Sequence, residues 1–450
     1  MKQTKDDFRR KLWELVLPIT IQSFMLSFVS ATDALMLGLV DQTSLSAVSL
    51  AGQIQFILSM FVSGMSAGTA ILAAQYWGKR DTASIEKVVP IALRMTILFG
   101  GVFTLAAAFC PRLLMLCYTN EEPLVAAGAE YLRAVALSYV ICGISQIYLI
   151  VLKNTGHAKI SSTISSVAVV LNIAANAVLI FGLFGAPKLG IVGAAYATVL
   201  ARVLELVWSF IETARANRVK VRWGRLFDKA GQLGKDFWKY TIPVLGAALV
   251  WGIAFSLYSV IIGHLGSDAV AANSISSIAK SIASCVIRGL SGGAGILIGN
   301  VLGAGELEKA KAYGAKLTHI SIGVGIATGL VMIAMIPALV RVAPLSEGAA
   351  ALLPMMMVVC GVNVAFQSVN ATVLDGIFCS GGDSKFDMIG NLFAMWSFSV
   401  PLGFLAAFLF KWPLAVVFII VNLDEIVKIP AVYIRYKKYI WVNNITREAE

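Results

Sequence analysis

The sequence predicts an all-α membrane protein of about twelve transmembrane helices, in two parallel six-helix bundles related by a pseudo-twofold axis along the membrane normal. Three observations support this fold class. Hydrophobic residues make up 58% of the 450 residues and charged residues only 14%, against about 25% charged residues in soluble domains. Apolar stretches long enough to cross a hydrocarbon core of about 30 Å recur along the chain. The first part of the sequence also recurs in the second half.

The apolar stretches form two sets of six, separated by one long polar segment. Glycine, serine and glutamine interrupt several of them, so the number of spans is better defined than their ends. The predicted spans lie near residues 12–36, 46–74, 88–110, 131–152, 160–183 and 190–212, and near 238–263, 269–299, 312–337, 350–376, 387–409 and 413–434.

An internal repeat relates the two sets. Residues 13–78 recur without a gap after a shift of 225 positions, and most matched residues are glycine, proline or serine rather than common apolar types. The matches include Trp13 with Trp238, Pro18 with Pro243, Gly38 with Gly263, Gly64 with Gly289, Gly68 with Gly293 and Gly78 with Gly303. Two similar halves are a common design of secondary transporters, which bind substrate between repeats.

The repeat predicts three segments. These are an N-terminal six-helix lobe over 1–212, a basic cytoplasmic linker over 213–237 and a C-terminal six-helix lobe over 238–450. Because each lobe has an even number of spans, both start on the same side of the membrane, and the repeats are parallel.

The positive charges define an orientation. Lysine and arginine cluster before the first span and after each even-numbered span, at 2–11, 79–87, 153–159, 215–239, 309–316, 385 and 435–438. Basic loops stay in the cytoplasm, so we expect a multi-pass plasma-membrane protein with both termini cytoplasmic. The net charge of +11 then reflects topology and attraction to anionic membrane lipid. Nucleic-acid binding is not expected, because the sequence lacks a basic face with interleaved aromatic residues.

Cysteine and histidine give no sign of a metal or cofactor. The six cysteines are scattered through apolar segments without a Cys-x-x-Cys pair, and the three histidines lie far apart. We therefore expect no metal site and no cofactor.

Several motifs in order resemble the multidrug and toxic compound extrusion (MATE) family over nearly the whole chain. The first span contains Asp33 and, five residues later, Gly38, similar to the family's Asp-x-x-x-x-Gly signature. The second span ends in residues 75–79, Gln-Tyr-Trp-Gly-Lys, which are similar to its Gln-Tyr-x-Gly-Lys motif. Further matches are residues 171–182, 190–198, 299–306 and 381–386.

The resemblance implies efflux of amphipathic, often cationic organic compounds, driven by inward movement of H⁺ or Na⁺. The chain departs from the family at two places. Relatives often carry Asn-Glu early in the seventh span, where this chain has Ala247 and Ala248, and many carry Asp where Asn176 stands. A carboxylate-rich cation site in the second half is therefore not expected.

Asp33 is the leading candidate for the coupling-ion site. It lies 15 residues after Pro18, or about 22 Å along a helix, in the outer half of the first span. A carboxylate inside a bilayer is costly and marks a functional site by default. The alternative is an interfacial residue near the helix end.

Asn172 and Asn176 lie four apart, on one face of the fifth span. They either join helices through hydrogen bonds or line the pocket around Asp33 and tune its protonation. A carboxylate among neutral amides favours H⁺ over Na⁺, which would need more anionic oxygen.

Pro18 is a candidate hinge. Proline removes one helical hydrogen bond and bends a helix, so a bend below Asp33 could transmit protonation to the cavity shape. A static kink is the equal alternative.

Two charged pairs and one further acid are candidate secondary charge sites. Arg202 with Glu205, and Glu425 with Lys428, lie three apart near the middle of their spans, which lets each pair neutralise itself. Asp375 is the remaining second-half acid considered as a site.

The function predicted from these features is a cation-coupled antiporter that exports amphipathic organic compounds by alternating access and acts as a monomer. The alternative is a flippase of lipid-linked saccharides, which would line its cleft with unpaired Arg and Lys. Arg202 and Lys428 both have acidic partners, which argues against a flippase. No nucleophile–base pair, nucleotide loop or selectivity filter indicates an enzyme or a channel.

Overall fold

The computed structural model describes residues 2–216, 218–228, 231–343 and 345–447, without the side chains of residues 2–6 and 31. Within these residues the secondary structure is helical, with no strand. The predicted linker over 213–237 includes Asn217, Lys229 and Ala230, which lie outside the described residues.

Eight helices occupy the first half of the chain. They are α1 Lys2–Gly38, α2 Gln42–Gly78, α3 Thr82–Phe109, α4 Pro111–Leu116, α5 Glu122–Val135, α6 Leu137–Leu152, α7 Ala158–Phe181 and α8 Gly190–Ala214. Nine follow: α9 Gly231–Gly263, α10 Ser267–Gly303, α11 Leu307–Ala334, α12 Ile336–Val342, α13 Glu347–Asn370, α14 Ser384–Asn391, α15 Val400–Phe404, α16 Leu414–Val421 and α17 Asp424–Lys437. π-helical turns at Ala371–Phe378, Leu392–Ser399 and Leu405–Leu409 extend α13, α14 and α15.

Ten helical stretches of the described chain are long and apolar enough to cross a membrane. They are Asp7–Gly38, Gln42–Gly78, Thr82–Phe109, Leu137–Phe181, Gly190–Ala214, Gly231–Gly263, Ser267–Gly303, Leu307–Val342, Glu347–Phe378 and Ser384–Leu409.

Two local interruptions account for the difference between ten and the predicted twelve spans. The 45-residue stretch Leu137–Phe181 covers most of both the fourth and the fifth predicted spans, which are divided where Gly156 adopts a φ of 81°. The twelfth predicted span is broken at Asn422, between α16 and α17, so neither piece reaches the roughly 20 residues of a crossing helix. The all-α membrane fold with about twelve transmembrane helices is confirmed.

Two helices, α2 and α3, begin with an aspartate whose side chain caps the first turn. Asp41 precedes α2, and its carboxylate accepts hydrogen bonds from the Ser44 backbone N–H at 2.6 Å and hydroxyl at 2.7 Å. These bonds lower the pKa of the Asp41 carboxyl below its usual value. Asp81 caps α3 in the same way through Ser84. Each cap satisfies backbone donors that a helix start leaves free.

The chain divides into two compact units that do not follow the sequence halves alone. The C-terminal unit comprises Met1–Thr20, Ala74–Arg80 and Lys239–Glu450, and the N-terminal unit comprises Ile21–Ala73 and Asp81–Trp238. The division at Trp238 lies next to the predicted start of the C-terminal lobe.

The predicted N-terminal lobe over 1–212 therefore differs from the compact units in two segments, Met1–Thr20 and Ala74–Arg80. The reason is packing. Leu12 and Val16 of α1 are buried in one apolar cluster with Leu290 and Leu297 of α10. Within a membrane, close van der Waals packing of such side chains favours helix association.

Small residues allow α2 and α10 to cross closely within the C-terminal unit. A Cβ atom at Gly78 would overlap the Asn300 carbonyl, and one at Gly303 would overlap the Gln75 carbonyl. These four residues form two repeat-equivalent pairs, because a shift of 225 positions converts 75 and 78 into 300 and 303. The matched glycines Gly78 and Gly303 are thus required by one reciprocal backbone contact.

Residues near the C-terminus form hydrogen bonds with the end of α2 in the C-terminal unit. Gln75 Nε2 donates to the carbonyl oxygens of Ser380 at 2.6 Å and Asn443 at 3.1 Å, and Gln75 Oε1 accepts from the Ile445 backbone N–H at 2.9 Å. The Trp441 side chain is fully buried nearby. The Gln75 amide is therefore saturated with hydrogen bonds.

We expect Gly303→Ala to lower thermal stability strongly, because its methyl group would collide with the rigid Gln75 backbone rather than with a flexible side chain. The measurement is the melting temperature of the purified protein in detergent. Gly323→Ala in α11 is the matched control, since no atom lies within 4 Å of its added Cβ. Equal melting temperatures for the two variants would contradict the close crossing.

Candidate functional site

Asp33 and the two asparagines form one hydrogen-bonded group in the N-terminal unit. Asn176 Nδ2 donates to Asp33 Oδ1 at 2.6 Å and lies 3.3 Å from Asn172 Oδ1. Asn172 Nδ2 lies 3.5 Å from Thr198 Oγ1 of α8. The prediction that Asn172 and Asn176 share a face next to Asp33 thus agrees with the structure.

Their burial fits a polar site inside the helix bundle. Asn172 and Asn176 are 6% and 1% exposed, whereas the Asp33 side chain is half-buried. The Asn176 Oδ1 atom is buried without a hydrogen-bond partner. Because buried polar atoms are normally paired, this oxygen is available to a proton-bearing or cationic group.

A cavity of about 680 Å³ opens beside this group and contains Asp33 and Asn172 in its wall. Apolar residues of α1, α2 and α7 supply much of the lining. The polar lining residues are Ser30, Asp33, Ser49, Gln55, Ser59, Tyr131, Ser165, Asn172, Thr198, Arg202 and Glu205. The volume is in the range of small-molecule sites, which are mostly apolar with a few placed polar groups.

Glu205 organises the other end of this cavity. Its side chain is 1% exposed, and it accepts hydrogen bonds from Arg202 Nη1 at 2.8 Å, Ser145 Oγ at 3.1 Å and Ser165 Oγ at 3.0 Å. Gln22 Nε2 donates in turn to Ser165 Oγ at 2.8 Å. The predicted pairing of Arg202 with Glu205 is present, and serines from two further helices complete it.

Pro18 lies within the continuous helix α1 and not in the cavity wall. The division between the two compact units falls between Thr20 and Ile21, directly after it. The hinge role of Pro18 stays a prediction.

The second-half candidates lie in the C-terminal unit and are separate from this group. Glu425 pairs with Lys428 at 3.0 Å, as predicted, and Glu425 Oε2 accepts from Asn370 Nδ2 at 2.7 Å. All three side chains are buried. Asp375 is exposed, and no hydrogen bond or ion pair to it occurs among the residues that the structure describes.

Three polar residues of the C-terminal unit were missed by reasoning from the sequence. Lys428 Nζ donates to Asn391 Oδ1 at 3.1 Å, and Asn391 Nδ2 donates to Asp387 at 2.8 Å. Arg288 lies in α10 and is exposed. The sequence signal at each position was a charged or amide residue inside an apolar span. Hydropathy averaged over a window hides a single polar residue, so this signal was overlooked.

The described residues include no group of three or more His, Cys, Asp or Glu side chains arranged to hold a metal ion. The side chains around Asp33 and Glu205 can take up a proton, form hydrogen bonds and pair charges.

Comparison with known proteins places these features in a family. The family model described as MatE matches residues 18–178 and 243–405. The two matched ranges begin 225 residues apart, which is the shift of the internal repeat.

Curated relatives match over most of their length. The uncharacterized transporter YisQ of Bacillus subtilis is 23% identical, over 96% of this chain and 94% of the relative. A probable multidrug resistance protein, NorM, of Rhizobium meliloti is 28% identical, over 86% of this chain and 83% of the relative.

Solved structures share the fold. The Vibrio cholerae MATE transporter VcmN in the bent form superposes with a TM-score of 0.86 at 17% identity, covering 97% of this chain and 98% of that one. A MOP superfamily transporter from Pyrococcus furiosus gives 0.87 at 18% identity, covering 96% of each chain.

We expect Glu205→Gln to cost about 3–5 kcal/mol of stability, because it leaves the Arg202 charge without its buried partner. Thermal denaturation in detergent measures the effect. Glu122→Gln is the matched control: it breaks an exposed ion pair with Arg112, which should cost about 1 kcal/mol or less. Similar, small shifts for both variants would show that Glu205 is not the centre of a buried network.

Proposed function

This chain belongs to the MatE family of transporters, and on that premise we propose that it is a cation-coupled antiporter that exports amphipathic, often cationic organic compounds by alternating access. As a member of this family it is a multi-pass membrane transporter and not an enzyme. The observation that carries the proposal is Asp33, hydrogen-bonded to Asn176 in the wall of a cavity of about 680 Å³.

Charge in the cavity supports an exchange of a proton for an organic cation. Asp33, Arg202 and Glu205 are the charged lining residues, and together they carry a net charge of −1 when all three are ionised. Protonation of Asp33 makes the lining neutral. An organic cation is then attracted when Asp33 is ionised and released when it is protonated, so proton and substrate compete for one carboxylate.

Oxygen supply around Asp33 favours H⁺ over Na⁺ as the coupling ion. Hard cations such as metal ions take several oxygen ligands. Here Asp33 Oδ1 and Asn172 Oδ1 face the same Asn176 amide nitrogen, and Asp33 is the only carboxylate of this group. A proton needs just one carboxylate oxygen.

The driving force depends on the net charge moved. Exchange of H⁺ for a monovalent cation is electroneutral and is driven by the pH gradient alone, at about 1.4 kcal/mol per pH unit. If the substrate is neutral, the entering proton moves net charge across the membrane. The membrane potential then contributes about 2.3 kcal/mol per 100 mV for each charge moved.

Pro18 is the proposed hinge of this cycle. Proline has no backbone N–H to donate within a helix, and Pro18 lies next to the change of compact unit at Thr20–Ile21. A bend of α1 at this point would move Asp33 while residues 1–20 keep their packing in the C-terminal unit. We also propose that the protein is a monomer in the plasma membrane. Its basic loops support a cytoplasmic location for both termini.

A flippase of lipid-linked saccharides is the second candidate function. The exposed Arg288 in α10 is the observation in its favour, since an anionic lipid phosphate would need an unpaired cation. The acidic cavity around Asp33 and Glu205 favours export of organic cations instead.

Cells that express the protein should accumulate less ethidium than control cells, and Asp33→Asn should abolish this efflux because an amide cannot take up a proton. Dye fluorescence in energised cells is the measurement. Asp7→Asn in the same helix is the matched control: it removes a carboxylate from a partly exposed ion pair with Lys11, so efflux should persist. Full efflux by Asp33→Asn at normal expression would remove Asp33 from the mechanism.

Everted vesicles distinguish the coupling ions. We expect substrate addition to collapse a respiration-generated pH gradient, and an imposed Na⁺ gradient at constant pH to drive no dye uptake. Dye uptake driven by Na⁺ alone would contradict proton coupling while leaving the exporter itself intact.

A further inference from the structure

Arg288 places a positive charge near the middle of a transmembrane helix. α10 runs over 37 residues from Ser267 to Gly303, and Arg288 lies three residues beyond its centre, or about 4.5 Å. An ionisable residue at this depth is a functional-site hypothesis by default, because hydrocarbon does not solvate a guanidinium.

Arg288 is not paired with a carboxylate in the way that Arg202 and Lys428 are. Its Nη2 atom lies 3.5 Å from the Ser281 carbonyl oxygen and 3.3 Å from Cys285 Sγ, both on its own helix. No ion pair of Arg288 occurs within the described part of the chain. Arg202 and Lys428, by contrast, each contact a glutamate within 3.0 Å. Both contacts are long and use the Nη2 nitrogen, so the Nε and Nη1 hydrogens remain free to form a bidentate contact.

The helix face around Arg288 combines polar and apolar side chains. Ser274, Ser281 and Arg288 recur every seven residues and are all exposed, so they lie near one line along α10. Ile278 and Ile282 lie to one side of this line and are 57% and 45% exposed. Lipid would not solvate the Arg288 guanidinium, so the exposed side of this line suits a water-filled space inside the membrane better than lipid. An amphipathic molecule matches such a face.

We propose that this face of α10 binds the anionic group, a carboxylate or a phosphate, of an amphipathic transported compound, with Arg288 as its anchor and Ile278 and Ile282 in contact with its apolar part. The proposal rests on the proposed export function and adds to its substrate class amphipathic compounds that carry a negative group, zwitterions included. Arginine suits this role because its planar fork pairs with carboxylate and phosphate oxygens.

A matched pair of dyes tests the proposal. Rhodamine 110 carries a free carboxylate, and rhodamine 123 is its methyl ester. Fluorescence anisotropy with the purified full-length protein gives both Kd values without any ion gradient. We expect Arg288→Gln to weaken rhodamine 110 binding about tenfold, as expected for a charge-assisted contact, and to change rhodamine 123 binding little. Arg288→Lys, which keeps the charge but not the fork, should give an intermediate Kd for rhodamine 110.

The control variant is Arg341→Gln, which changes an exposed arginine of α12 and should change the Kd of neither dye. An equal loss for both dyes, or no loss for either, would overturn the anion site and leave the exporter proposal standing. Wild-type protein that binds neither dye would count against both proposals.

One competition arm identifies the source of the anion. Short-chain phosphatidic acid that displaces rhodamine 110 from the wild type, but not from Arg288→Gln, would assign the site to lipid phosphates as well as carboxylates. Displacement by a soluble amphipathic carboxylate alone would assign it to water-soluble substrates. Displacement of rhodamine 110 from Arg288→Gln at the wild-type concentration would overturn the role of Arg288.

Discussion

The requirement that every charge inside a membrane find a partner or face water explains the polar interior of this protein. Glu205 has Arg202 and two serine hydroxyls, and Glu425 has Lys428 and Asn370. These two glutamates are saturated and suit structural roles. Asp33 has one amide donor and a cavity beside it, so its carboxylate can still exchange a proton. The distinction between saturated and unsaturated carboxylates therefore separates the proposed coupling site from the buried ion pairs.

The internal repeat has a physical meaning at the crossing of α2 and α10. Gly78 and Gly303 each meet the backbone of the other helix, so neither position accepts a larger residue without displacement of the partner. This crossing and the hydrogen bonds of Gln75 hold the end of α2 in the C-terminal unit. α1 and α2 each contribute residues to both compact units, as does α9, which the division between Trp238 and Lys239 crosses.

Local spacing made part of the site predictable. Residues three or four apart on a helix face each other, which correctly paired Arg202 with Glu205 and placed Asn172 beside Asn176. Partners from distant parts of the chain were not predictable, because nothing in a single sequence brings Ser145, Ser165 or Asn391 to their charges. The fold class followed from composition and the repeat, but two helix breaks, at Gly156 and Asn422, changed how the spans appear. Arg288 was missed because its neighbours are apolar enough to hide one charge.

The central claim, that substrate and proton compete for Asp33, is tested most directly by proton release on substrate binding. Purified protein in a weakly buffered solution with a pH indicator would be mixed with a permanently charged organic cation. The account predicts proton release by the wild type and none by Asp33→Asn, although that variant still folds. Equal proton release by both proteins, or binding of the cation to the wild type without any release, would contradict it.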